Sequence, residues 1–260
     1  PLLVAAHHGH QGIFDALLAA GANVDQAMKI GATPVRMAAQ NGHQAIVEAL
    51  LAAGASIDQA GEDGATPLLV AAHHGHQGIV EALIAAGASI DHVEKDGATP
   101  LLLAAQNGHQ AIGEALLAAG ANIDQATKTG STPVRVAAQN SHQGIVEALI
   151  AAGASIDQAG EDGATPLLVA AHHGHQGIFE ALLAAGANID QATHDGCTPL
   201  LMAQQKGHTA IVKLLRDAGA TENGDEVDGD RGGRNTVQDH SLIRTQSAEE
   251  RRQAAAAKRE

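Results

Sequence analysis

Aromatic side chains are almost missing from this sequence: its 260 residues include no Trp, no Tyr and only two Phe, Phe14 and Phe179. A core must then be assembled from Ala, Leu, Ile and Val, which fill helix–helix interfaces but cannot provide the aromatic anchors of a large globular interior. Cysteine is equally scarce. The single Cys197 excludes an intrachain disulfide and fits a reducing compartment, so an intracellular, cytoplasmic location is expected. No apolar run approaches the roughly 20 residues that a membrane-spanning helix needs. The chain starts at Pro1, without Met or a signal-like stretch, and reads as a fragment whose targeting signal would lie upstream. Basic charge is short as well. The formal net charge is −14, and residues 1–220 carry 8 Lys+Arg against 20 Asp+Glu. Such an acidic body repels phosphate backbones, which argues against nucleic acid as a partner.

What the sequence does have is glycine, 30 residues of it, and a strict period. Thr-Pro recurs at Thr33, Thr66, Thr99, Thr132, Thr165 and Thr198, every 33 residues, and Pro1 falls on the same grid. That spacing defines seven units, the first cut short at its start. Within a unit, Thr66 suits a helix N-cap and Pro67 the first helical position, where a missing N–H costs nothing. Leu68, Ala71 and Ala72 follow at helical spacing, and Gly75 stops the helix as a left-handed residue. A second helix is predicted from Gln77, with Ile79, Val80, Leu83 and Ile84 on one face and Gly87 at its end. Residues 88–97 read as a polar loop with a turn at Asp96-Gly97. Helices this short are marginal alone in water, so each unit has to stack on its neighbours.

This pattern resembles the ankyrin repeat over roughly residues 1–221. Gly-x-Thr-Pro-Leu, Ala-Ala-x-x-Gly-His, Ile-Val-x-x-Leu-Leu and Gly-Ala-x-Ile-Asp all appear in register on the 33-residue grid. The resemblance implies an all-α ankyrin-repeat solenoid of helix–turn–helix–hairpin units. It also implies a structural role for the His slot that opens each second helix: His10, His43, His76, His109, His142, His175 and His208. The family usually carries another His two residues after the Pro, hydrogen-bonded within and between repeats. Here that slot holds Leu3, Leu69, Leu102, Leu168 and Leu201, or Arg36 and Arg135, so apolar contact is expected in place of the polar link.

Two further departures bear on stability. Ser141 replaces the helix-ending Gly, and a non-Gly left-handed residue costs about 1–2 kcal/mol. Gly113 stands where Val47 and Val80 stand in other units, forfeiting a buried side chain worth about 1.5–3 kcal/mol and adding a helical Gly cost of about 1. The fourth and fifth repeats are therefore expected to be the soft middle of the array. A longer period lies over the short one: residues 52–79 and 151–178 are identical over 28 positions, 99 residues apart. Such fidelity points to duplication of a three-repeat block.

The final unit exchanges small apolar positions for Gln204, Lys206, Thr209, Lys213, Arg216 and Asp217, as an outward-facing cap requires. Residues 222–260 read as a disordered, acidic then mixed-charge tail. Within it the capping-box spacing of SAEE at 247–250 opens a possible short helix over 247–259.

Candidate chemistry is sparse. The pairs His7-His8, His73-His74 and His172-His173 each precede the structural His by two residues and together look like a metal motif. Other units carry Gln40-Asn41, Gln106-Asn107, Gln139-Asn140 and Gln205-Lys206 at the same slot, so polarity is what the slot requires. Adjacent helical residues point about 100° apart, the intervening Gly redirects the chain, and no second ligand motif accompanies them; no metal and no cofactor is expected. A pH response from the 16 histidines is a further reading. Glu62-Asp63 and Glu161-Asp162 sit in hairpin tips, where water keeps carboxylates acidic and useless for acid–base work. Cys197, beside His194 and Asp195, would lie in an open tip without oxyanion donors. The chain is not expected to be an enzyme.

What remains is surface. The resemblance implies protein binding through the hairpin tips and the first-helix face lining the groove. Those positions hold Lys29, Ile30, Gln40 and Asn41; Glu62, Asp63, His73 and His74; Lys95, Asp96, Gln106 and Asn107. They continue with Lys128, Thr129, Gln139 and Asn140; Glu161, Asp162, His172 and His173; then His194, Asp195, Cys197, Gln205 and Lys206. Without Trp or Tyr among them, a polar interface with a basic or mixed-charge protein is expected, the chain itself being a monomer. The expected function is a non-catalytic scaffold, adaptor or effector. Two rivals are an accessory recognition domain of a larger enzyme truncated before Pro1, and a histidine-rich protein responding to metal or pH.

Overall fold

The computed structural model describes residues 1–29 and 31–221, which belong to one compact unit, Pro1–Glu222. The expected tail and its short helix lie outside the described residues, as does Ile30. Among the described residues there are fourteen α-helices and no strand. The first helices of the seven units are α1 (Leu2–His8), α3 (Pro34–Gln40), α5 (Pro67–His74), α7 (Pro100–Asn107), α9 (Pro133–Gln139), α11 (Pro166–His173) and α13 (Pro199–Lys206). The second helices are α2 (Gln11–Ala19), α4 (Gln44–Ala52), α6 (Gln77–Ala85), α8 (Gln110–Ala118), α10 (Gln143–Ala151), α12 (Gln176–Ala184) and α14 (Thr209–Asp217). Each first helix packs on its own second helix and on the first helices of the adjoining units, giving two stacked layers.

Local chemistry places the boundaries where the sequence put them. The Oγ1 of Thr66 accepts a hydrogen bond from the Leu69 N–H, and the five equivalent threonines do the same for the residue three places on. All six are buried, which converts an orphan backbone donor into a satisfied one in a place water cannot reach. Gly75 closes α5 with φ 82°, left-handed as expected. Ser141 takes the same conformation at φ 65°, and it is the non-glycine positive φ of the described residues. Between layers lie Leu68, Leu83, Leu101, Leu116 and, from the second unit onward, their counterparts, essentially without exposure. The alanine pairs, such as Ala71 and Ala72 at 0% exposure, let first helices approach closely. Phe14 and Phe179, also at 0%, share the slot of Val47, Val80, Val146 and Gly113.

Three polar ladders join the units. The ring Nε2–H of His43, His76, His109, His142, His175 and His208 donates to a main-chain carbonyl of the preceding unit at 3.0–3.2 Å. This confirms the structural reading of that slot. The ring also lies across the helix-ending glycine: a Cβ on Gly75 would stand 2.6 Å from His109 Cε1, so the site demands glycine for room as well as for φ. The second ladder comes from the Asp in each Ile-Asp or Val-Asp pair. Asp25, Asp58, Asp91, Asp124, Asp157 and Asp190 each accept from the backbone N–H found 31 residues later, at 2.7–3.0 Å. The third runs through the hairpin tips, where Lys95, Lys128, Glu161 and His194 donate their N–H to the carbonyls of Asp63, Asp96, Thr129 and Asp162.

The expectation that apolar contact replaces the polar link after the Pro needs correction in two units. Leu69, Leu102 and Leu168 are buried as anticipated. Arg36, however, donates Nε–H to the Ala65 carbonyl at 3.1 Å and pairs with Asp63 through Nη2. Arg135 repeats this with Ala164 at 3.2 Å and Asp162 at 2.7 Å. In these units an arginine carries the inter-repeat polar link.

Candidate functional site

The hairpin tips and the C-terminal ends of the first helices form one face, and two pockets open on it. The larger, about 470 Å³, lies across α3, α5 and α7. Its apolar floor is Leu69, Val70, Leu102 and Leu103, and its polar walls include Arg36, Gln40, Asp63, His73, Glu94 and Gln106. The smaller, about 270 Å³, lies across α9, α11 and α13 and repeats the first with Arg135, Gln139, Asp162, Leu168, Val169 and His172. Each of those six stands 99 residues after its counterpart, so the array carries two editions of one pocket.

The structure brings many of the predicted positions onto this face and separates others by role. Glu62, Glu161, Lys29, Lys95, Lys128 and Thr129 are exposed at the tips. Asp63 and Asp162 are exposed too, but they are scaffold: besides holding Arg36 and Arg135, their Oδ1 atoms accept from the Ala65 and Ala164 N–H at 3.0 Å. Gln106, Gln139, Asn140 and Gln205 are exposed, and Gln40 is half-buried. Asp96, His194 and Asp195 are exposed, as is Lys206 at the last unit. Cys197 is half-buried, with its Sγ toward the Thr198 carbonyl at 3.9 Å and no hydrogen bond to His194 or Asp195.

The histidine pairs resolve into two jobs. His74 Nδ1–H donates to the Val70 carbonyl at 2.8 Å, four residues back on its own helix. Asn41 and Asn107, in the same slot, donate Nδ2–H to the Met37 and Leu103 carbonyls, also at 2.8 Å. At these three positions imidazole and carboxamide do the same work, each placing one donor over the last turn, whereas Asn140 donates to the Gln106 carbonyl of the preceding unit at 3.0 Å. The first member of the pair looks sideways instead: His7 and His73 accept at Nδ1 from Asn41 and Asn107 of the next unit, at 3.2 and 3.4 Å. His172 sits against the Met202 sulfur at 3.1 Å.

Contrary to the expectation that the glycine turn separates them, the three rings of each string lie close together. His73 and His74 have centroids 4.8 Å apart, and His74 stacks on His76 at 6.1 Å and 5°. Stacked rings hold their nitrogens in parallel planes, and two of those nitrogens already serve main-chain carbonyls. Among the described residues no three His, Cys, Asp or Glu side chains form a group able to hold a metal ion. Burial lowers the pKa of His73, and His74 and His109 add to the effect. His172 and His173 are lowered by burial first, then by neighbouring histidines and Lys206.

Two features escaped the sequence reading. Glu94 lines the larger pocket half-buried, its pKa raised by burial and by Asp96 and Asp63. The Arg–Asp links were also missed, though the sequence holds a signal for them. Arg36 and Arg135 are each followed 25 residues later by glycine, Gly61 and Gly160, whereas Leu69, Leu102 and Leu168 are followed by Glu94, Thr127 and Thr193. A Cβ on Gly61 or Gly160 would lie 3.1 or 3.0 Å from the guanidinium carbon, so the glycine makes room for the arginine.

Helix pairs stacked in two layers, sewn by repeating polar ladders and presenting one face of tips and helix ends, define a helical repeat solenoid. The family model described as ankyrin repeats (3 copies) matches residues 2–94, 86–160 and 157–226, and the chain belongs to the ankyrin-repeat family. The crystal structure of the human ASB11 ankyrin repeat domain superposes with a TM-score of 0.76 at 31% identity, covering 83% of this chain and 97% of that one. No curated protein matches the chain. Ankyrin repeats are in general protein-interaction modules. Among the described residues no helix is long and apolar enough to cross a membrane.

Proposed function

We propose that this chain is a non-catalytic scaffold or adaptor that binds a protein partner across its tips and first-helix ends, from Lys29 to Lys206. The supporting observation is the paired pocket on that face, lined by side chains with spare hydrogen-bonding capacity over a small aliphatic floor. The partner would bring the aromatic groups that this chain lacks, and a basic or mixed-charge surface suits the acidic repeat body. We assign the repeat domain to residues 1–221 and the tail to 222–260, acting as a monomer in the reducing environment that the free Cys197 suits.

A photo-crosslinking residue tests this directly. Placed at Gln106 or Lys128 it should capture a defined protein from native lysate. Placed at Glu81, on the outer surface of α6 where it accepts from Gln77, it should not. Equal capture from both surfaces would overturn the assignment of the binding face.

A further inference from the structure

The two pockets differ in charge although they share a plan. In each, an arginine and an aspartate on the wall neutralise one another: Arg36 with Asp63, Arg135 with Asp162. The larger pocket adds Glu94 and Asp96 to its lining, and among the described residues neither carboxylate has a hydrogen bond or an ion pair. In the smaller pocket Thr193 stands at the place of Glu94 and no further acid lines the wall. Burial, then Asp96, then Asp63 disfavour the charge on Glu94. The larger pocket thus combines an aliphatic floor with surplus negative charge that a cation would relieve, a combination matching a long basic side chain with an apolar stem.

Building on the binding face proposed above, we propose that the larger pocket docks a Lys or Arg side chain from an extended segment of the partner protein. The stem lies on Leu69, Val70 and Leu103, and the charged head sits between Glu94 and Asp96. The smaller pocket, with Thr193, takes a neutral side chain, so the two editions set the order in which a partner segment can read along the face.

The test is a reciprocal exchange followed by amide chemical shifts on the full chain. The probes are a capped Gly-Ala-Arg-Ala-Gly peptide and its citrulline twin, which keeps the shape and removes the charge. The arginine peptide should shift the amides of Gly97 and Ala98 and leave those of Gly196 and Cys197 in place, while the citrulline peptide shifts neither set. Glu94→Thr should weaken binding at the larger pocket by roughly tenfold, and Thr193→Glu should create binding at the smaller one, as a partly buried charge pair allows. Both exchanges put into a slot a residue that it already carries elsewhere in the chain, so the fold is kept. Equal shifts from the two peptides, shifts at both pockets of the unaltered chain, or no response to the exchange would each overturn the proposal. If crosslinking still captures a partner at Gln106, the binding face stands and only its charge preference falls.

Discussion

Single residues decide where this array is weak. Ser141 holds φ 65° in a slot that glycine fills in the other units, where a Cβ on Gly75, Gly108 or Gly174 would stand 2.5–2.7 Å from the ring of the next unit's histidine. Its neighbour His175 reaches the Gln139 carbonyl at 3.2 Å, the longest of the six equivalent bonds. Ser141→Gly releases about 1–2 kcal/mol of left-handed strain but gives back about 0.5–1 in unfolded-chain entropy, for a net gain of about 0.5–1 kcal/mol in chemical denaturation. Gly113 is the opposite defect. It is buried in α8, and a Cβ built there meets nothing within 4 Å. Gly113→Ala should therefore stabilise by about 1 kcal/mol, and Gly113→Val by about 2 as it fills the space that Val47 and Val80 fill elsewhere. A loss of stability in the valine variant would show that the neighbouring units have closed over the gap.

At the scale of elements, the helices were legible and the tips were only half so. Thr-Pro at the start, Gly-His at the junction and the Ile-Val-Leu face specify α5 and α6 completely, because capping, φ and burial are local requirements written in adjacent residues. The tips depend on pairs separated by 25 to 31 residues, and a pass along one unit does not join Arg36 to Gly61 and Asp63, or Asp58 to the Ser89 N–H. The consequence is practical. Exchanging Asp63 or Asp162 for Ala would look like a surface edit, yet it leaves a mostly buried guanidinium without its anion, with side-chain exposures of 9% for Arg36 and 12% for Arg135. Because the aspartates are themselves more than half exposed, the cost is discounted to about 1–2 kcal/mol each. Glu62→Ala and Glu161→Ala should change stability by no more than about 0.5 kcal/mol. Thermal melting of the four single variants separates the scaffold acids from the free ones, and equal melting throughout would refute the distinction. The histidine strings were legible in outline: substitution by Gln-Asn announced a polar slot, but only the common bond to the carbonyl four residues back explains why Asn41 and His74 are equivalent.

Across the whole molecule, pH and local opening report how these pieces add. His73, His172 and His173 have pKa values lowered in the folded chain, so they favour folding above 6.5, their ordinary value, and that contribution is lost as pH falls through the lowered values. Glu94 acts in the other sense: its raised pKa favours folding below 4.5, and the benefit disappears as pH rises through the raised value. Melting temperature should thus fall between pH 7 and pH 5.5, and His73→Gln with His172→Gln and His173→Asn should flatten that slope. In a linear array each unit is held only by its neighbours, so two adjacent defects weaken one place. Gly113 in the fourth unit and Ser141 in the fifth are adjacent in this sense, and α8 and α10 pack on one another across them. Amide exchange should be faster in α7 to α10 than in α5, α6, α11 and α12, although the first helices of all four units start on the same threonine cap. The double variant Gly113→Val with Ser141→Gly should slow the middle to the rate of its flanks. Because the sites adjoin, its stability gain should differ from the sum of the single gains, which is the signature of a shared interface. Uniform protection along the unaltered chain would mean that the stacking of seven units makes good both defects, and the solenoid would then open as one body.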